Sequence, residues 1–275
     1  MAEITEGAEY PRKLTVPTGY NVRELGAYPA ASGMTARRRF LRSGSTSDLD
    51  GQDAQALVDY GVHRVLDLRG SFELRSEPDE LERRPDVTYL NVPLFDYDLS
   101  DPALSPQGDD GAFDGGTYLT DGYLTMLANR PAIRQMFSFF AATPHGSCVL
   151  FHCAAGMDRT GVTAMLLLGL VGVGRDHIIA DYCYSFAKVR DVDRLVFEGK
   201  RSEPRQRSVL DRLLGRSGDD DGSFGSGLDR LSVRYDTIAH VYDRLIKAYG
   251  TVGDYLRACG VDDATMRRVA DHLMS

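Results

Sequence analysis

The run His152-Cys153-Ala154-Ala155-Gly156-Met157-Asp158-Arg159-Thr160-Gly161 gathers a nucleophile, a cation and a flexible backbone within ten positions. A cysteine followed by five residues and then Arg-Thr is the spacing of a loop that wraps a phosphate while a thiolate attacks its phosphorus. Gly156 lets the backbone curl so that the N–H groups of Ala154, Ala155, Gly156, Met157, Asp158 and Arg159 converge as an anion-binding nest. A helix opening near Arg159 adds the partial positive charge of its first turn. A field of that kind lowers a thiol's pKa and favours the nucleophilic thiolate. Arg159 forks two donors onto two phosphate oxygens, a geometry that Lys does not offer. Thr160 places a hydroxyl where it can hydrogen-bond the sulfur and ease its departure. His152 is read as support for the loop.

A Cys-x5-Arg spacing alone is weak. Joined to His before the Cys, Gly within the loop, Thr-Gly after the Arg, and a strand–loop–helix setting, it is specific. A buried structural cysteine at a strand end would leave Gly156, Arg159 and Thr160 unexplained.

The implied chemistry has two steps. Cys153 displaces an alcohol or phenol and becomes phosphocysteine, which water then hydrolyses. Arg159 and the backbone donors stabilise the equatorial oxygens, so neither metal nor cofactor is called for. An acid must protonate the leaving oxygen. Two residues qualify: Asp158, beside Arg159 in the loop, and Asp96, just past a strand end but at the head of an acidic loop. Asp67 and Arg69 read as a buried ionic brace.

Those residues need a scaffold. Apolar residues at 148–151 read as a central strand and 162–173 as a helix behind the loop. Further strands are expected at 39–42, 62–68 and 87–92, with a cap at 45–48 leading to a short helix at 53–60 that ends at Gly61. Helices are expected at 118–127 and 132–142, the second with Ile133, Met136, Phe137 and Phe140 on one face. Residues 96–116, rich in Asp, Gly, Ser and Pro, read as a long mobile loop, and loops of that kind often cover sites. Ile178, Tyr182, Phe186, Val189 and Val196 fall near helical spacing, either as core or as a lid. A linker covers 216–227. Helices follow over 228–274, with Ile238, Val241, Tyr242, Leu245 and Ile246 as the apolar face. The expected architecture is α/β: a mostly parallel twisted sheet flanked by helices, with residues 1–19 as an extended lead-in to one domain at 20–275.

Composition limits the rest. With 43% hydrophobic residues the chain can build a substantial core. A net charge of −8 argues against nucleic acid or an anionic membrane as a general partner. The four cysteines lack Cys-x-x-Cys spacing and suit a reducing compartment. Burial of Cys148, Cys183 and Cys259 is expected ahead of a disulfide protecting Cys153. The amino-terminal residues carry no apolar leader, and no apolar run reaches membrane-spanning length. A monomeric cytoplasmic enzyme is expected.

The loop resembles the signature of the cysteine-dependent protein tyrosine phosphatase superfamily, and more narrowly that of its bacterial, mycobacterial-type branch. The resemblance extends to Asn21-Val22-Arg23-Glu24-Leu25-Gly26, Phe40-Leu41-Arg42-Ser43-Gly44, Val65-Leu66-Asp67-Leu68-Arg69, Ile179-Ala180-Asp181-Tyr182, and Tyr249-Gly250 through Tyr255-Leu256-Arg257. It thus covers the chain from about residue 20 to the end, with gaps in two loops. It implies a tyrosine-phosphatase-like fold, a helical lid within 178–227, a loop aspartate at Asp158, and export without a leader in some relatives. The chain departs at Met157, where relatives of this branch carry Lys. Without that cation, phosphotyrosine in proteins is favoured as substrate. Phosphoinositides, inositol phosphates or another small phosphorylated metabolite form the alternative, and an inactive phosphate-binding module lies outside enzymes altogether.

Overall fold

Cys148–His152 is apolar at every position but the last, as a strand covered on both faces must be. In the computed structural model, which describes residues 4–6, 12–95, 115–198 and 227–275, it is the middle strand of a five-stranded sheet. With β1 as Arg23–Glu24, β2 as Phe40–Ser43, β3 as Val62–Asp67, β4 as Thr88–Asn91 and β5 as Cys148–His152, the order is β1-β2-β5-β3-β4. Only β1 runs antiparallel to its neighbour. The mostly parallel sheet is the one expected. Ser43 and Asp67 both pair with His152, so three strands finish side by side. Because β2 and β3 flank β5 on opposite sides, the winding reverses there, and open α/β sheets form their ligand crevices at such points.

Period-two alternation divides the core between the two faces. Phe40, Leu66, Val149 and Phe151 face a large cluster, while Leu41, Val65, Cys148 and Leu150 face a smaller one. The smaller cluster is closed by α1, Gly51–Tyr60, through Ala54 and Leu57. Leu14 and Val16, within the stretch read as a lead-in, are buried in it as well, and Leu14–Thr15 pairs with Thr5–Glu6. After β3 comes a one-and-a-half-turn helix, α2, at Ser71–Ser76. The larger cluster is closed by α3 (Gly115–Ala128), α4 (Arg130–Ala141), α5 (Asp158–Leu170), α6 (Arg175–Cys183), α7 (Val189–Val196), α8 (Gly227–Tyr249), α9 (Val252–Ala258) and α10 (Asp263–Met274). Helix α5 is buried along most of its length, which fits its nearly continuous apolar sequence.

Two local expectations change. The cap of α1 is Asp50, which accepts from the N–H groups of Gln52 and Asp53, and not a residue at 45–48. Residues there are engaged elsewhere: Arg69 donates to the hydroxyls of Ser45 and Ser47, and the Thr46 hydroxyl bonds Asp79. The apolar pattern from 178 to 196 is two helices rather than one, separated by a turn in which the Ser185 hydroxyl accepts from Arg23. Ile178, Tyr182, Val192 and Val196 join the large cluster, the core role that the pattern allowed. Residues 199–226 and the loop at 96–114, Asp96 included, lie outside the described residues. All four cysteines are free and buried. Among the described residues no helix is long and apolar enough to cross a membrane.

Candidate active site

The loop from Cys153 to Met157 leaves the carboxyl end of β5 and enters α5 at Asp158, the strand–loop–helix setting that the motif requires. Gly156 has φ +67, and a Cβ there would stand 2.4 Å from the Ser43 carbonyl oxygen. Both backbone conformation and space therefore demand glycine. The loop's carbonyls are tied outward to the scaffold. Ser45 N–H donates to Ala154 at 2.7 Å, while Asn21 Nδ2 and Arg42 Nη2 donate to Gly156 at 3.1 and 2.9 Å. Gly161 N–H closes onto Met157 at 2.8 Å. With the carbonyls turned away, the N–H groups of Ala154, Ala155, Gly156, Met157, Asp158 and Arg159 find no acceptor among the described residues, which is the state of a nest built for an anion.

Arg42 owes its position to Asp181, with which it makes a buried ion pair. Asp181 also accepts from the Tyr28 hydroxyl at 2.8 Å and lies 3.6 Å from Arg23 Nε. Burial alone would raise the Asp181 carboxyl, but Arg42 and then Arg23 outweigh it and hold the pKa below the ordinary value. Asn21, Arg23, Arg42 and Asp181, spread over three of the resembling segments, thus meet behind the loop.

Cys153 is 2% exposed, and the Thr160 hydroxyl donates to its sulfur at 3.1 Å. His152 is fully buried behind it, with Nδ1 3.3 Å from the Cys153 carbonyl and Nε2 3.3 Å from Asp79. Asp67 and Arg69 do pair, at 2.7 Å, and Arg69 reaches Asp79 at 3.2 Å. Asp67, Asp79 and His152 bring ligand atoms within 4.8 Å of one another, as a metal site would. There Arg69 already balances both carboxylates, so the arrangement serves as a brace under the strand ends.

Arg159 sets both terminal nitrogens on Glu73 of α2. Burial works against the guanidinium charge, but the Glu73 hydrogen bonds and the charge of Cys153 raise its pKa. Glu73 is pushed up by burial yet brought down further by Arg159, so it stays a carboxylate. Its Oε2 is anchored by the Gly70 N–H at 2.8 Å. This end-on pairing leaves the Nε edge of Arg159 without an acceptor among the described residues, an orientation in which Glu73 can aim the cation at two phosphate oxygens. Replacing it, Glu73→Gln, should lower kcat/KM about tenfold, the value of one charge-assisted hydrogen bond. An unchanged or faster variant in steady-state assays would mean that Glu73 competes with the substrate instead.

Asp158 stands beside Arg159 and accepts from the Tyr123 hydroxyl and from Arg234 Nη1, the latter at 2.7 Å. Tyr123 also bonds the hydroxyl of Tyr182. Burial, then Tyr182 and Asp158, push the Tyr123 phenol well up, so it remains a donor. Met157 precedes α5 at its N-cap position and brings no charge.

Residues 14–275 match the sequence profile described as the tyrosine phosphatase family. The chain belongs to that family. This phosphatase is also similar to the triple specificity protein phosphatase PtpB of Mycobacterium tuberculosis, 29% identical over 291 aligned positions that cover 94% of this chain and 98% of that protein. A tyrosine-protein phosphatase of Nostoc commune is 28% identical over 232 positions, 84% of this chain and 72% of that one.

The structure thus gathers Cys153, Asp158, Arg159, Thr160 and the loop backbone of the phosphatase in one place. Sequence reasoning missed Glu73, Tyr123 and Arg234. A signal existed for Glu73, because α2 follows the strand that neighbours β5. The other two are carried by helices remote in sequence, with no local pattern to mark them.

Proposed function

We propose that this member of the tyrosine phosphatase family hydrolyses phosphomonoesters through a phosphocysteine at Cys153, with phosphotyrosine in proteins as its substrate class. The observation that carries the reading is the loop whose Ala154, Gly156 and Met157 carbonyls are anchored outward and whose N–H groups are left for an anion around a cysteine bonded by Thr160. Arg159 is the cation that holds the equatorial oxygens. The family description and the name of the Nostoc commune relative support phosphotyrosine as substrate. Hydrolysis of a phosphotyrosine peptide in the presence of a chelator tests it; a requirement for added divalent metal would overturn it. The reading places one phosphatase domain at 20–275, with Leu14 and Val16 of the preceding stretch packed into its core, acting as a cytoplasmic monomer without a nucleic-acid partner, and the net charge of −8 supports that last absence.

Asp158 is proposed as the acid of the first step and the base of the second. In the resting site it accepts two hydrogen bonds, one from a cation, as a carboxylate does. As the phenol leaves, a carboxyl in this place can hand it a proton, and in the second step it can take one from water. Asp158→Asn should slow esters with poor leaving groups by on the order of 10²–10⁴-fold, and activated aryl phosphates far less. If Asp96→Asn shows that leaving-group dependence and Asp158→Asn does not, the acid comes from the loop beyond β4.

A further inference from the structure

Arg234 reaches the phosphate loop from α8, outside the motif altogether. Its Nη1 donates to Asp158 at 2.7 Å, and lies 3.3 Å from the Tyr123 hydroxyl and 3.2 Å from that of Tyr182. Its Cζ sits 4.5 Å from the centre of the Phe186 ring, a cation–π contact that fixes the plane of the group. One nitrogen is therefore held by three oxygens and one face is covered. Among the described residues, no acceptor takes Nε or Nη2, and the side chain is 26% exposed. Burial works against its charge, but Tyr182 and Asp158 more than restore it. A guanidinium anchored at one nitrogen, with its Nε/Nη2 edge open, is a fork set for two oxygens of an anion.

The position of the fork selects the anion. Tyr123 and Tyr182, which hold it, are each 1% exposed, and Asp158 belongs to the loop itself. The fork thus stands against the loop, one hydrogen bond from Asp158. An acidic side chain flanking a phosphotyrosine begins a whole phenol ring above the scissile phosphate. A second phosphate on a small ring or chain lies only a few bonds from the first.

We infer that Arg234 is a specificity-determining residue whose open edge binds a second phosphate carried a few bonds from the scissile one, supplying from α8 the cation that Met157 does not supply from the loop. This inference rests on the phosphatase reading and deepens it: the same loop accepts small bisphosphates in addition to phosphotyrosine. It also removes the ground on which the uncharged Met157 disfavoured substrates with more than one phosphate.

The test uses the full chain with matched probes, myo-inositol 3-phosphate and myo-inositol 3,4-bisphosphate. Their dissociation constants are measured by calorimetry on Cys153→Ser protein, so that neither probe is turned over. The bisphosphate should bind about ten- to a hundredfold more tightly than the monophosphate. Adding Arg234→Gln should bring that ratio to about one, Arg234→Lys should keep part of it, and rising salt should shrink it in the parent. A melting curve for each variant confirms that it is folded, and the lysine variant keeps the question open to decision if the glutamine variant is not. An equal ratio in parent and folded variants would overturn the inference. So would an Arg234 dependence confined to a phosphotyrosine peptide with acidic flanks, compared with the same peptide with neutral flanks. Failure of the phosphatase reading shows itself separately, as absence of Cys153-dependent turnover of p-nitrophenyl phosphate by the otherwise native chain.

Discussion

Cys153→Ser is expected to abolish turnover while the protein still binds phosphate esters. The serine hydroxyl is a far weaker nucleophile at neutral pH than a thiolate in the same nest, and deletion of an attacking group in other covalent enzymes costs on the order of 10⁶ in rate. Binding survives because the N–H groups of the loop and the guanidinium of Arg159 do not depend on the sulfur. Rapid quench of the native enzyme should trap phosphate on Cys153, detectable by mass spectrometry, and Thr160→Ala should let it accumulate by removing the hydroxyl that donates to the sulfur. Substantial activity in Cys153→Ser would remove the phosphocysteine from the mechanism.

Asp181→Asn should produce the largest loss of stability. The wild-type carboxylate balances Arg42 and Arg23 in a fully buried setting, and the amide leaves both cations without a counter-charge. Breaking a buried pair from one side costs about 3–5 kcal/mol, a large fraction of the roughly 5–15 kcal/mol that holds a domain folded. Activity should fall too, because Arg42 is one of the two side chains that hold the Gly156 carbonyl. The pH dependence follows from the depressed pKa of Asp181 in the folded state. Its contribution is present above the unfolded value of about 3.9 and is lost as pH falls through the lower folded value. Denaturant midpoints of wild type and variant should therefore differ widely at pH 7 and approach each other in acid. Equal midpoints at pH 7 would show that the pair contributes nothing net.

The parts of this molecule that were legible in its sequence are those governed by short-range rules. The loop from Cys153 to Thr160 could be read because nest, cation and hydroxyl fall within one turn of chain. β2, β3, β4 and β5 were found to within a residue or two because burial on one or two faces imposes alternation or an apolar run. What failed was anything decided by partners at long range. The serines at 45 and 47 look like caps, but Arg69 claims them from more than 20 positions away. Glu73 meets Arg159 across 86 positions, and Arg234 meets Asp158 across 76. An acidic or basic residue carries the same local signature whether it faces water or a catalytic loop. Only the placement of α2 and α8, which brings Glu73 to Arg159 and Arg234 to Asp158, separates the two.

The anchoring of the Gly156 carbonyl has a bearing on how a cell makes this enzyme. Asn21 and Arg42 are synthesised 135 and 114 positions ahead of the carbonyl that they hold, whereas Asp181, which holds Arg42 in turn, comes after it. A nascent chain that has exposed the whole cysteine motif therefore has its first two clamps but not the residue that sets one of them. Until that helix is made, the Arg42 that turns the Gly156 carbonyl outward lacks its counter-charge. A chain that ends before that helix therefore carries every residue of the motif without the full set of contacts that shapes it.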